Sequence, residues 1–207
     1  MIKEKMDIKE AIKKSWNWIW NDDSVLSWIV SLILAFVVVK FVFFPIISLI
    51  FATSLPLVVV ESSSMHHSGN CLGNALGLQS SFDSWWTQAG AWYEQNNITE
   101  EQAEKWPLRT GFDKGDIMII FGYRKPKVGD VIVFNANVQY PIIHRVIKIT
   151  EINGKTYYST KGDNNSGQLD AEKQISEDAV IGKAVIRLPL LGWIKLWAVD
   201  IWNSIFG

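Results

Sequence analysis

The run VLSWIVSLILAFVVVKFVFFPIISLIF, residues 25 to 51, constrains this chain more than any other part of it, because its only charge is Lys40. As a helix it extends about 40 Å at ~1.5 Å per residue, more than the ~30 Å hydrocarbon core of a bilayer requires. One spanning helix is therefore expected, over 24–53. A lysine in mid-membrane opposes insertion by roughly 2.5 to 3.5 kcal/mol, and Pro45 is expected to kink the helix or end its regular part. Tilt, or snorkelling of Lys40 toward one face, reconciles both. The run starts too late and is too long for the hydrophobic region of a cleavable signal peptide, so it reads as a retained anchor.

Upstream, Ile8, Ile12, Trp16 and Ile19 recur at steps of three and four, with Lys3, Lys5, Lys9, Lys13 and Lys14 largely between them. This is the pattern of an amphipathic helix lying in a headgroup layer. Asn21, Asp22, Asp23 and Ser24 form a polar break and an N-cap. Lysines precede the anchor and the residues just after it are nearly uncharged, so segment 1–23 is expected on the cytoplasmic side and the rest outside. That places the chain in the cell membrane as a single-pass protein, or in the endoplasmic-reticulum membrane of a eukaryote. Eleven tryptophans suit the same surroundings, since an indole favours a site with one dry and one wet edge. A net charge of −1 offers no footprint for a nucleic-acid backbone, and nucleic-acid binding is excluded on that ground. The single cysteine, Cys71, rules out an intrachain disulfide.

Beyond the anchor, strands are expected at 55–61, 116–122, 130–136, 141–150, 155–160 and 178–188. Each is rich in Val, Ile and aromatics and bounded by Gly, Pro, Asp or Asn. Short strands at close spacing imply a mainly β fold, a compact antiparallel β domain over 54–190. Residues 66–112 break the rhythm and read as a helical insertion holding Trp85, Trp86, Trp92, Tyr93 and Trp106. Within it, Thr99 and Gln102 make a capping box for a short helix. The last segment, 191–207, places Leu191, Ile194, Trp197, Ala198, Ile201, Trp202 and Ile205 on one helical stripe. It is too short and too charged for a comfortable span, which favours an in-plane interfacial helix.

Three histidines, His66, His67 and His144, are the whole supply of imidazole. Period-two alternation puts Ile142, His144 and Val146 on one face of a strand and Ile143, Arg145 and Ile147 on the other. A lone histidine among apolar neighbours is commonly a core residue, yet its ring nitrogens need partners, and the loop 159–170 offers Asp163 and Asp170. In VVVESSSMHHSG, residues 58–69, an extended backbone would project Ser62 and Ser64 to one face and Ser63 to the other. Ser64 could then attack a carbonyl while Ser62 or a backbone amide donates to the oxyanion. The residues alone leave three readings open: a polar turn, a hydrolase nucleophile, or a metal corner in which His66 and His67 converge with Cys71, Asp83 or His144.

VVVESSSM, following an apolar anchor, is similar to the nucleophile box of type I signal peptidases, membrane-anchored serine proteases that remove signal peptides from exported proteins. The resemblance continues through KGDIMII, VGDVIVF, PIIHRVI, TKGDNN and VIGKAVIRLPLLGWI, in order across nearly the whole chain after the anchor. Histidine before RV, where the bacterial branch has lysine, resembles the archaeal and endoplasmic-reticulum branch. By position, the resemblance implies Ser64 as nucleophile, His144 as general base, Asp170 as the acid supporting the histidine, Asp163 as a second important carboxylate and Ser62 as oxyanion support. It implies no cofactor and no metal. The partners it implies are signal peptides of exported preproteins, the lipid bilayer, and export machinery or partner subunits. Ser63 stands where the family usually has glycine, His66 and His67 replace the usual Glu and Pro, and Asp170 lies one residue farther from Asp163 than the pattern has it. A non-catalytic membrane-tethered β module, whose Trp-rich insertion binds a partner, is the alternative reading.

Overall fold

Residues 8–67 and 82–206 are described by the computed structural model, and the chain divides into two units, 1–50 and 51–207. Lys3, Lys5 and Cys71, with part of the expected insertion, lie outside the described residues.

In the first unit, helix α1 (Ile8–Asn21) ends at the polar break and α2 (Val25–Val38) begins with Ser24 as its N-cap, the Ser24 hydroxyl accepting from Ser27 N at 3.3 Å. The last carbonyls of α1 have no partner within their own helix. Hydroxyls of α2 supply it: Ser27 Oγ donates to Trp18 O at 2.8 Å and Ser31 Oγ to Ile19 O at 2.7 Å. A single π turn (Val39–Phe43) joins α2 to α3 (Phe44–Phe51), and Phe44 N–H bonds back to Val39 O. Pro45 lacks the N–H that an α-helix would direct at Phe41 O, so the turn before it widens rather than breaks. Val25–Phe51 is thus one helix of 27 residues, long and apolar enough to cross a membrane.

The second unit is an antiparallel half-barrel of seven strands in the order β1-β2-β7-β3-β4-β5-β6. These are β1 (Leu57–Val59), β2 (Ile117–Phe121), β3 (Val131–Phe134), β4 (Ile142–Ile152), β5 (Lys155–Lys161), β6 (Ile175–Ser176) and β7 (Val180–Leu188). The mainly β, antiparallel expectation holds. The first strand is shorter than expected: pairing with β2 stops at Val59, and Ser62–Ser64 lie in a turn rather than on extended backbone. β6, with two residues, carries no periodic signal of its own.

β3 is buried on both faces. Val131 and Val133 pack with Val60, Met65, Phe112, Met118 and Ile120, while Ile132 and Phe134 pack on the other side with Val146, Tyr158 and Ile175. The insertion supplies a third cluster. Helix α4 (Phe82–Gln95), α5 (Glu100–Glu104, with the Thr99–Gln102 capping box) and the residues just after α5 bring Phe82, Trp85, Trp86, Tyr93 and Trp106 into one cluster with Ile147 of β4. Burying five aromatic rings there anchors the insertion to the sheet at the strand that carries His144. The C-terminal helix α6 (Trp193–Phe206) buries only Leu196; Ile194, Trp197, Ile201, Trp202 and Ile205 are exposed.

Candidate active site

Alternation along β4 sends two consecutive polar side chains to opposite faces of the sheet. Cross-strand partners fix which face each one meets: His144 pairs with Ile132 and Arg145 with Lys161, while Val146, on the His144 face, pairs with Thr160. His144 therefore looks toward the Thr160 side and Arg145 toward the Lys161 side. Each finds a different carboxylate.

On the first face, His144 Nε2 lies 2.8 Å from Ser64 Oγ, and Nδ1 meets the Glu172 carboxylate. Glu172 is fully buried; Thr160 Oγ1 donates to its Oε1 at 3.2 Å and Leu169 N to its Oε2 at 2.8 Å. Two residues before Ser64 in the same turn stands Ser62, whose Oγ is 3.2 Å from Ser64 Oγ. Hydroxyl, imidazole and carboxylate form one hydrogen-bonded chain. Such a chain can draw a proton from the hydroxyl as it attacks a carbonyl, with the carboxylate holding the ring in one tautomer.

On the second face, Arg145 is buried and its guanidinium grips Asp163 by Nε–H to Oδ1 at 2.9 Å and Nη2–H to Oδ2 at 2.6 Å. Its remaining N–H groups donate to the carbonyls of Pro107, Gly129 and Leu108. Asp163 also accepts from Tyr93 OH at 3.1 Å and pairs with His67 Nε2 at 2.9 Å. Burial by itself would raise the Asp163 carboxyl, but the charge of Arg145 and the hydrogen bonds from His67 and Arg145 hold it well below the usual carboxylate range. Burial lowers the proton affinity of His67, against the upward pull of Asp163. Burial raises the Tyr93 phenol further, so it stays a donor.

The two faces meet at the turn. Asn164 N donates to Ser64 O at 2.7 Å and Asn164 Nδ2 to Ser63 O at 3.1 Å, so the Asp163–Asn164 corner holds the backbone on which Ser64 sits. Met65 is buried beneath, its carbonyl accepting from Phe112 N and its sulfur from Asp163 N. Ser64 and His144 line a cleft of about 510 Å³, together with Leu55, Leu57 and Val59 from around β1, Tyr140, Pro141 and Ile142 from around the start of β4, and the charged pair Glu61 and Lys195. β1 is the sheet's edge strand, paired on one side only with β2.

Among known proteins, the chain is similar to the signal peptidase complex catalytic subunit SEC11 of Lachancea thermotolerans, 36% identical over 100 residues, which are 44% of this chain and 60% of that protein. The subunit of the same name from Plasmodium falciparum is 29% identical over 97 residues, 44% of this chain and 53% of that protein. An uncharacterized protein of Methanocaldococcus jannaschii is 36% identical over 67 residues, 30% of this chain and 32% of that protein. The chain is a homologue of signal peptidase catalytic subunits. It spans 60% or less of the length of these relatives. No family model matches it.

The structure brings Ser64, His144 and Ser62 together and leaves Asp170 apart. Asp170 is exposed and its carboxylate takes Lys173 Nζ at 2.7 Å. The physical reason is the 3₁₀ turn Asp170–Glu172. At three residues per turn, positions 170 and 173 eclipse and form an ion pair on the outer side, while position 172 points elsewhere, here inward to His144. Asp163 does not reach His144 either, because it belongs to the Arg145 face. Glu172 was missed by sequence reasoning, although the acid–x–x–Lys spacing of Asp170 and Lys173 was the signal that could have found it.

His66 and His67 flank the same turn and do not converge with each other. His66 Nδ1 pairs with Asp113, whose other oxygen takes Arg187 Nη2 at 3.0 Å. The His67 ring stacks on Trp85 at 4.3 Å and 5°. Among the described residues, no three His, Cys, Asp or Glu side chains converge as metal ligands. Gly162 completes the site by its lack of a side chain: a Cβ there would stand 2.8 Å from His144 Nε2 and 2.7 Å from Asn165 Nδ2.

Proposed function

We propose that this chain is a membrane-bound serine endopeptidase that cleaves signal peptides from exported preproteins. The observation that carries the reading is the 2.8 Å approach of Ser64 Oγ to His144 Nε2 in the lining of a largely apolar cleft that also takes in the edge strand β1. The preprotein would lie extended along β1, its backbone adding to the free edge and its small side chains entering the shallow cleft. Ser64 Oγ attacks the scissile carbonyl carbon as His144 Nε2 takes the hydroxyl proton. The tetrahedral oxyanion accepts from Ser62. Collapse breaks the C–N bond, His144 returns its proton to the leaving amine, and an acyl-enzyme remains on Ser64. Water, deprotonated by the same imidazole, attacks the ester and releases the signal peptide with a free carboxylate. Glu172 holds the ring so that Nε2 faces the serine and stabilises the imidazolium that forms; it takes the place expected of Asp170. Asp163 and Arg145 act at one remove, fixing the turn that carries Ser64.

The arrangement of the chain fits membrane-embedded substrates. Segment 24–53 is the anchor, 1–23 the cytoplasmic amphipathic lead, 54–190 the catalytic domain outside, and α6, within 191–207, rests its exposed Trp and Ile side chains in the interface. The relatives are named as subunits of a complex, and this chain works with partner subunits on the same reading.

The test is cleavage of a preprotein by the full-length protein in liposomes, followed by the appearance of mature product on a gel. Ser64→Ala and His144→Ala are each expected to abolish it. Undiminished cleavage by Ser64→Ala would overturn the nucleophile assignment, and absence of cleavage of any preprotein by the parent would favour a binding module.

A further inference from the structure

We infer that Lys40 is a docking point for a second transmembrane helix, from a different chain, that carries a carboxylate at mid-bilayer depth. The inference rests on Val25–Phe51 spanning a bilayer and goes beyond the cleavage chemistry. Residue 38 is the midpoint of that 27-residue helix, and Lys40 stands two residues past it. Its Nζ lies 5.6 Å from the centre of the Phe36 ring and 5.5 Å from that of Phe41, and among the described residues no carboxylate is within ion-pair reach of it. Ring faces stabilise a cation only in part. A charge at this depth calls for a counter-charge, and intramembrane lysines mark sites where one is supplied.

Snorkelling does not answer the demand well. The nearer end, at Phe51, is eleven residues away, about 16 Å at ~1.5 Å per residue, and side chains on a helix lean the other way, toward the Val25 end about 22 Å off. A lysine stem covers only a fraction of that distance. Phe36 and Phe41, 62% and 64% exposed, flank the ammonium and give a neighbouring helix apolar surface on both sides of the pair.

The identity of the occupant follows from charge. Between Val25 and Phe51 the chain has no Asp or Glu, so a second copy would bring lysine against lysine. The partner is therefore a heterologous spanning helix with an acidic side chain near its centre.

The experiment uses the full chain reconstituted in phosphatidylcholine vesicles with synthetic oligoleucine spanning peptides that carry a photoreactive leucine beside either a central Glu or a central Leu. Photocrosslinking to the wild-type chain is expected to be at least about five-fold higher with the Glu peptide, the size polar pairs between spanning helices reach. Lys40→Met should lower the Glu peptide to the level of the Leu peptide, and Lys40→Arg should retain the difference. Equal crosslinking of both peptides to the wild type would overturn the inference and assign Lys40 to lipid phosphates. Alkaline extraction of the wild-type chain from the vesicles would overturn the span itself. Preprotein cleavage, measured on the same vesicles, reports separately on the active site.

Discussion

The carboxylate that meets His144 Nδ1 belongs to Glu172, two residues beyond the exposed Asp170. Replacing Glu172 by Gln keeps its volume and removes the charge that favours the Nδ1–H tautomer and the imidazolium. Turnover of a preprotein at saturating concentration should fall about 10²- to 10⁴-fold, the range for a triad that loses its orienting carboxylate. Asp170→Asn breaks only an exposed pair with Lys173 and should leave turnover within about two-fold. Equal losses in the two variants would mean that the acid of the working enzyme is not Glu172.

Gly162 leaves room for the imidazole. In Gly162→Ala the added Cβ would meet His144 Nε2 at 2.8 Å and Asn165 Nδ2 at 2.7 Å, closer than carbon packs against nitrogen, so the ring must shift. A displacement of the base by even a fraction of the hydrogen-bond length costs about 10²-fold in rate when the reacting groups must be aligned. The loss should fall on kcat rather than KM, because the apolar walls of the cleft are untouched. Steady-state kinetics on a peptide substrate separate the two; an unchanged kcat would show that the ring has other room to move.

Ser62 stands 3.2 Å from Ser64 by their Oγ atoms. If its hydroxyl turns to the developing oxyanion, Ser62→Ala should lower kcat about 10²- to 10³-fold with little change in KM, the cost of losing one such donor. Ser62→Thr retains the hydroxyl and should recover part of that loss. A Ser62→Ala enzyme as fast as the parent would leave the oxyanion to backbone N–H groups.

Much of this was legible in the sequence because it depends on local pattern. The apolar run, the polar break capped by Ser24, six of the seven strands and the Thr99–Gln102 box follow from periodicity and capping, which are written in neighbouring residues. The pairing of Ser64 with His144 spans eighty positions and came from a resemblance in motif order, not from any local rule. The partition of the carboxylates was not legible. It depends on which face of β4 each residue occupies and on a one-turn 3₁₀ helix, where a shift of two positions exchanges an exposed ion pair for a buried acid. The turn at Ser62–Ser64 was not legible for a similar reason: β-branched residues up to Val60 suggest a longer strand than the one that pairs with β2, which ends at Val59. Of His66 and His67 the sequence showed only adjacency, while their separate carboxylates, Asp113 and Asp163, come from distant loops.

The buried cluster around Asp163 gives stability a defined dependence on pH. His67 binds its proton less readily in the folded chain than in the unfolded one, where its value is about 6.5, so its contribution is present above that pH and is lost as pH falls below it. Asp163 is held below its unfolded value of about 3.9, so its contribution is present above about pH 4 and is lost as pH falls through its folded value. Acid destabilisation should accordingly proceed in two stages, one beginning below about pH 6.5 and one below about pH 4. His67→Gln should remove the first stage. Asp163→Asn should remove the second and, by leaving the Arg145 guanidinium buried without its counter-charge, cost about 3 to 5 kcal/mol at pH 7. Denaturant unfolding in detergent, followed by tryptophan fluorescence between pH 8 and pH 3, measures both. Identical slopes between pH 7 and pH 5 in the parent and in His67→Gln would take His67 out of the linkage, whereas a small loss in Asp163→Asn would mean that the carbonyls of Pro107, Leu108 and Gly129 suffice to hold Arg145.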